Sequence, residues 1–515
     1  MANSAPAPMT KATRREWIGL AVIALPCMLY SMDLTVLNLA VPKLSAALQP
    51  SSAQLLWIVD IYGFFVAGAL ITMGTLGDRI GRRRLLLIGA AAFGAASVLA
   101  AFSTSASMLV VARALLGIAG ATLAPSTLSL IRNMFLDPHQ RTVAISVWIM
   151  SFSAGAAIGP LVGGALLEYF WWGSVFLINV PVMALLLALG PVLLPESRDP
   201  NAGRLDLASA AQSLLAVLAV IYGLKSIAEH GVDGLSAAAI VAGLALGVAF
   251  VRRQRRLADP LIDLALFRIP AFSAAIATNV LGFLATFGTF LFIAQYLQPV
   301  LGLSPLQAGL WSTPAAVAFI VGSMVTPWIV RSFSPAHVIA GGMLVSAAGF
   351  LLLALVGQAT APLAVLVAGS VIFSAGLTPV VTLTTDLVLG SAPPERAGSA
   401  AAISETSSEF GGALGIALLG SVITALYGGA MAGVAIPGVP PDAVSAARST
   451  IGGAVATAAL LPEATGAELL GAARTAFARA FTVTALIGAG ISIGVAALAV
   501  VLLRHVQPVA HPAQA

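Results

Sequence analysis

Residues 74–84 read GTLGDRIGRRR, a glycine-spaced turn with one acid and four arginines at the junction of apolar runs 53–76 and 83–103. So dense a charge cluster, bracketed by segments of about 20 mostly apolar residues, belongs in a short loop between two membrane-crossing helices. The composition of the whole chain agrees. Of 515 residues 59% are hydrophobic and 9% charged, against roughly 25% charged in soluble proteins. A mean hydropathy of +1.00 requires most side chains to face lipid or each other. The single Cys27 excludes an internal disulfide and a cysteine metal cluster. The net charge of +5 is no nucleic-acid footprint, because the lysines and arginines stand mostly in short clusters between apolar runs.

Working outward with that ruler gives fourteen spans, near 16–45, 53–76, 83–103, 107–132, 140–168, 173–194, 206–227, 235–251, 271–299, 305–330, 336–357, 361–390, 397–425 and 475–504. The chain is therefore expected to be an all-α integral membrane protein. Its first apolar stretch follows Lys11, Arg14 and Arg15 and is too long for a cleaved signal, so it reads as a retained span. Cations then recur after every even-numbered span: Arg79, Arg82, Arg83 and Arg84, then Arg132 and Arg141, Arg198 and Arg204, Arg252 to Arg256, Arg268, Arg331, Arg396 and Arg504. The opposite loops hold few, with Lys43 and Lys225 counted there. The positive-inside rule puts both termini in the cytoplasm, in a bacterial inner membrane.

Composition shifts at 195–205 and 252–270 divide the chain into 1–200, 201–258 and 259–515, two six-span halves around an inserted pair of spans. The turn at 74–84 has a degenerate echo at 330–337 (VRSFSPAH), with Arg331 near the place of Asp78. Parallel halves of this kind place a cavity between them near mid-membrane. The last outer loop, 426–472, contains two weakly helical stretches, 441–458 and 463–472, read as a small periplasmic hairpin.

An ionisable side chain inside a span costs roughly 2.5–3.5 kcal/mol on insertion scales and needs a reason. Asp33 in span 1, Asp60 in span 2, Arg113 in span 4 and Glu405 in span 13 stand out, with Glu409 one turn beyond Glu405. Asp33 and Asp60 either form a lock with Arg113 or serve transport. A desolvated carboxylate can hold a proton or a cation, and exclusive occupancy makes proton entry drive cation exit. Trp57 and Tyr30 stand one turn before Asp60 and Asp33, so aromatic faces can flank a lipophilic cation; Trp57 equally fits an interfacial anchor. Phe283, Phe287 and Phe290 form a stripe that reads first as packing or lipid contact. Gly155, Gly159 and Gly163 bare one side of span 5 for close approach, beside Gly164, and Pro160 bends it. Gly74, Asp78 and Gly81, with Arg79 and Arg82, suit a latch that breaks when the inner side opens.

These residues resemble the major facilitator superfamily. GTLGDRIGRRR matches its loop between helices 2 and 3, ARALLGIAGA at 112–121 its helix 4, and GAAIGPLVGG at 155–164 its antiporter-associated helix 5. MDLTVLNLAVP at 32–42, LLWIVDIY at 55–62 and INVP at 178–181 look like the fourteen-span drug:proton antiporter branch. The resemblance implies a proton-coupled multidrug exporter of lipophilic, mainly cationic drugs, dyes and quaternary ammonium compounds. It implies proton coupling through Asp33, Asp60, Arg113 and Glu405, with Tyr30, Asp33, Trp57, Asp60, Glu405 and Glu409 as the substrate-binding set. Protons are the coupling ion; no cofactor, metal, nucleic acid or oligomeric partner is expected beyond the bilayer. Some relatives that take dications carry an acid in helix 10, whereas TPAAVAF at 313–319 has none, which counts against efficient dication export.

Other classes fit less well. No lysine follows a glycine, so the phosphate-loop core of an ATP-driven pump is absent. His139, His230, His337, His505 and His511 are placed in loops or tails, and no enzyme is expected. Proton-driven export of one endogenous metabolite or antibiotic is the alternative.

Overall fold

In hydrocarbon every backbone N–H and C=O must find its partner within the segment, so apolar runs become helices. The computed structural model describes residues 11–198, 206–257, 260–330, 332–391, 397–434 and 441–504. Among the described residues, fourteen helical spans are long and apolar enough to cross a membrane. Arg204, Arg331, Arg396, His505 and His511 lie outside the described residues, and with Arg331 the proposed echo of Asp78.

The first half comprises α1 (Arg14–Leu48), α2 (Ser52–Ile80), α3 (Arg82–Ala101), α4 (Ala106–Gly120), α5 (Leu123–Met134), α6 (Pro138–Tyr169), α7 (Ser174–Leu177) and α8 (Asn179–Leu193). Spans 4 and 6 are thus broken helices, α4–α5 and α7–α8. The inserted pair is α9 (Leu207–His230) and α10 (Gly234–Gln254). The second half runs through α11 (Pro270–Gln295), α12 (Pro305–Ile329), α13 (Pro335–Ala354), α14 (Pro362–Ser391) and α15 (Ala397–Ala432) to α16 (Pro441–Ser449), α17 (Ile451–Ala458) and α18 (Glu463–Leu503). A single π-helical turn, Tyr296–Val300, ends α11.

Several expectations need correction. The stretch 463–472 is no separate hairpin arm but the start of α18, whose 41 residues run about 60 Å at about 1.5 Å each. The hairpin is α16–α17, seated on the far ends of the bundle: the Ser52 hydroxyl donates to the Ser449 carbonyl, and Tyr427 Oη donates to Ala447 O at 2.8 Å. Lys43 and Lys225 are not loop cations. Lys43 lies in the last turns of α1 and donates to the Leu167 carbonyl, and Lys225 lies inside α9. His139, His230 and His337 occupy terminal helical turns rather than loops.

The two halves meet on the side away from the arginine clusters. A Cβ on Gly309 would stand 2.2 Å from the Pro160 carbonyl oxygen, and one on Gly164 2.7 Å from that of Pro305, so α6 and α12 touch backbone to backbone there. Gln298 Nε2 donates to Leu39 O at 2.9 Å, and Leu56 packs on Gly420 between α2 and α15. Toward the middle, Gly63 of α2 still meets Ala413 of α15. These contacts join the two halves on the far side.

Within the first half the glycine stripe does what its spacing predicted. A Cβ at Gly155 would lie 2.1 Å from Met28 O, at Gly159 2.2 Å from Thr35 Oγ1, and at Gly163 2.6 Å from Val36 Cγ1, all on α1. Gly155→Ala is expected to lower the unfolding temperature of the detergent-purified protein, because overpacking costs roughly 1–3 kcal/mol. The same change at Gly471 of α18, which has open space around it, should not lower it.

Candidate functional site

The four acids singled out from the sequence, Asp33, Asp60, Glu405 and Glu409, all lie within spans, and the fold deals with each differently. Asp33 of α1 is 7% exposed and paired with the guanidinium of Arg113 from α4. Arg113 is itself 1% exposed. Its Nε donates to Ile58 O of α2 at 3.1 Å, and its planar group lies over the Tyr62 ring, 4.6 Å from the centroid. One arginine thus ties α1, α2 and α4 together, but of the two acids weighed for a lock with it above it pairs with Asp33 alone.

Asp60 does not share that arginine as an ion-pair partner. Its oxygens stand 2.7 and 2.9 Å from Nζ of Lys225 on the inserted helix α9. The ammonium also lies over the Trp57 ring, 3.8 Å from its centroid. Trp57 therefore faces a lysine of the protein itself, and this site is occupied. The signal for it was a lysine inside the apolar frame YGLKSI at 222–227.

The two acids of α15 have no such cation. Glu409 accepts a hydrogen bond from Tyr30 Oη at 2.7 Å, joining α15 of the second half to α1 of the first. The Tyr30 ring also meets Phe152 edge-on, 5.8 Å between centroids. Glu405, one turn nearer the arginine-rich side, is exposed and has no hydrogen bond or ion pair among the described residues.

Between the halves lies a cavity of about 220 Å³, walled by α1, α6, α11, α12 and α14. Phe283, Phe287 and Phe290, first read as packing, line it with Trp311 and Phe319. Phe283 and Phe287 stack on each other at 5.5 Å. Its polar groups are neutral, among them Thr35, Asn38 and Ser374. Asp33, Asp60, Trp57, Glu405 and Glu409 are not part of this wall. No cluster of three or more potential metal ligands occurs among the described residues.

The turn at 74–84 also has a defined geometry. Gly81 joins α2 to α3 at φ +109°, a conformation that disfavours any side chain, and a Cβ there would strike Glu196 Oε1 at 2.5 Å. Asp78 pairs with Arg82 at 2.5 Å within the turn, while Arg79 is exposed and Gly74 makes only ordinary contact with Pro125. Glu196, not singled out from sequence, caps α3 by accepting from the Arg83 and Arg84 amides at 3.1 and 3.2 Å, where helix N–H groups favour an anion.

Two helical bundles around a central apolar cavity, with ionisable groups inside the spans, define a secondary transporter. The chain belongs to the Major Facilitator Superfamily, whose family model matches residues 23–416. It is 44% identical over 497 residues, 96% of this chain and 98% of the other, to the multidrug efflux pump LfrA of Mycolicibacterium smegmatis. It is 36% identical to the methyl viologen resistance protein SmvA of Salmonella typhimurium, covering 90% and 93% of the two chains. The tetracenomycin C resistance and export protein of Streptomyces glaucescens is 33% identical, over 82% and 78%. Among solved structures, a bacterial homologue of the lysosomal transporter Spinster in an inward-facing conformation shares the fold with a TM-score of 0.66 at 18% identity, covering 96% and 98% of the two chains.

Arg113→Met is expected to destabilise the protein by roughly 3–5 kcal/mol, since it leaves the Asp33 carboxylate buried without its cation. Arg113→Met combined with Asp33→Asn should recover most of that loss. Chemical unfolding of the purified variants reads both.

Proposed function

We propose that this chain is a proton-coupled exporter of lipophilic small molecules, mainly cationic, in a bacterial cytoplasmic membrane. The single observation that carries the reading is the separation of roles inside the spans. Asp33 and Asp60 are paired with protein cations in this conformation, whereas Glu405 and Glu409 have none among the described residues. Those two carboxylates are the groups free to exchange a proton for a guest cation, and the aromatic cavity supplies shape-tolerant apolar surface for the rest of the guest. The relatives at 44% and 36% identity carry efflux and drug-resistance names, which supports a multidrug rather than a sugar or peptide cargo.

The arginine-rich side is the cytoplasmic one by the positive-inside rule, which puts both termini there. With the halves joined on the far side, this reading has the exporter load from the cytoplasm. A proton crossing 100 mV contributes about 2.3 kcal/mol, about fifty-fold in concentration, so concentrative export is within reach. The chain acts as a monomer on this reading, with the bilayer as its only obligatory surroundings. The neutral wall of α12 had argued against dications, but methyl viologen is a dication and names the relative at 36% identity, so that restriction is not retained. The export protein for tetracenomycin C keeps a dedicated antibiotic exporter as the second reading, distinguished by whether unrelated dyes are moved.

Inside-out vesicles under an imposed pH gradient test the reading with ethidium. The wild type should accumulate the dye, and a protonophore should abolish the accumulation. Glu405→Gln and Glu409→Gln together should reduce it to the level of vesicles lacking the protein, without a fall in unfolding temperature, because neither charge is paired to a cation. Gradient-independent ethidium flux in the wild type would contradict antiport. Phe287→Ala should raise the half-saturating dye concentration about tenfold, equivalent to about 1.4 kcal/mol of lost contact.

A further inference from the structure

Helix α9 belongs to the inserted pair, is largely half-exposed, and faces lipid over much of its surface. A lysine there has an inexpensive option, which is to run its chain toward the membrane interface. Lys225 does the reverse. Its side chain is 1% exposed and Asp60's is 0% exposed, inside a dry seam built by Phe64 of α2, Ile221 of α9 and Ala413 and Ala417 of α15, with Trp57 packed against them. The ammonium donates to Asp60 Oδ1, stands 2.7 Å from Oδ2 and lies over the Trp57 face at once. Helix α9 packs on α2 from the first half and on α15 from the second, so this ion pair sits where the halves must move past one another.

We propose that Lys225 is a positioning residue of the transport cycle: the inserted helix supplies a tethered counter-cation that keeps Asp60 charged in this conformation and is released when Asp60 takes up a proton. The inference rests on the antiport reading above. In the step, a hydronium ion from the opened far side gives its proton to one Asp60 oxygen and leaves as water. Lys225 keeps its three protons. The pair goes from neutral to a net charge of +1, carried by an ammonium that has lost its partner in a dry site, which favours displacement of α9 from α2. The other charge acting on Asp60 is Arg113 of α4, already committed to Asp33, and Asp60 is the one charge acting on Lys225 among the described residues. Arg113 does not replace Lys225. The inserted pair is on this account part of the coupling machinery.

A purely structural ion pair makes a different prediction, because neutralising both members of a buried pair is close to harmless for the fold. Lys225→Met, Lys225→Arg, and Lys225→Met combined with Asp60→Asn are compared in proteoliposomes for two quantities: ethidium running down its own gradient, and ethidium accumulated against it by an imposed pH gradient. Lys225→Met and the double variant should still let ethidium run downhill while losing gradient-driven accumulation, and Lys225→Arg should accumulate. Should Lys225→Met fail to fold, the double variant decides alone. Accumulation at the wild-type level by Lys225→Met or by the double variant overturns the inference while leaving antiport intact, as does a parallel fall of both fluxes in the double variant. A wild type that ignores the pH gradient overturns the antiport reading, and this inference with it.

Discussion

A charge inside hydrocarbon must be paired, protonated or wetted, and the arrangement of this molecule follows from how its few buried charges meet that demand. The Asp33–Arg113 pair is the fixed case. It binds three helices of the first half through a guanidinium that pairs with Asp33, donates to Ile58 O and lies over the Tyr62 ring. Asp60 is paired too, but across a junction between separate helical units. The acids of α15 are left to protons, water and guests. That gradation, from locked to shared to open, is what the proposed exchange of one positive charge for another builds on.

The packing supports the same division. Glycines at 155, 159 and 163 let α6 ride on the backbone of α1, so the first half moves as a unit. Gly164 and Gly309 instead bring α6 and α12 together backbone to backbone across the two halves on the far side, where Leu306 N donates to Glu168. On the opposite side, Gly81 and Glu196 fix the turn between α2 and α3. Asp78 there pairs with Arg82 of its own turn.

Much of the fold was legible because each span is a continuous apolar run and the arginines recur after alternate ones. The buried ions Asp33, Asp60 and Arg113 were equally legible, since charge in such runs is conspicuous. Partner choice was not. Asp60 and Lys225 are 165 residues apart and Tyr30 and Glu409 are 379 apart, and nothing local says which cation reaches which acid. Lys225 was misplaced for a physical reason: a lysine about a turn from the end of an apolar run is usually free to reach the interface, and only the packing of α9 against α2 turns it inward. The phenylalanine stripe of α11 has the spacing of any buried helix face, so its cavity role emerged only when α12 and α14 were set opposite it.

The central claim is that proton and guest cation compete for the same two carboxylates of α15. The most direct measurement is a titration of the purified protein with tetraphenylphosphonium in weakly buffered detergent solution, following proton release with a pH-sensitive dye over a range of starting pH. Saturable proton release that tracks cation binding, and that vanishes when Glu405 and Glu409 are both replaced by glutamine, is the predicted result. Saturable binding without proton release at every pH would contradict the account.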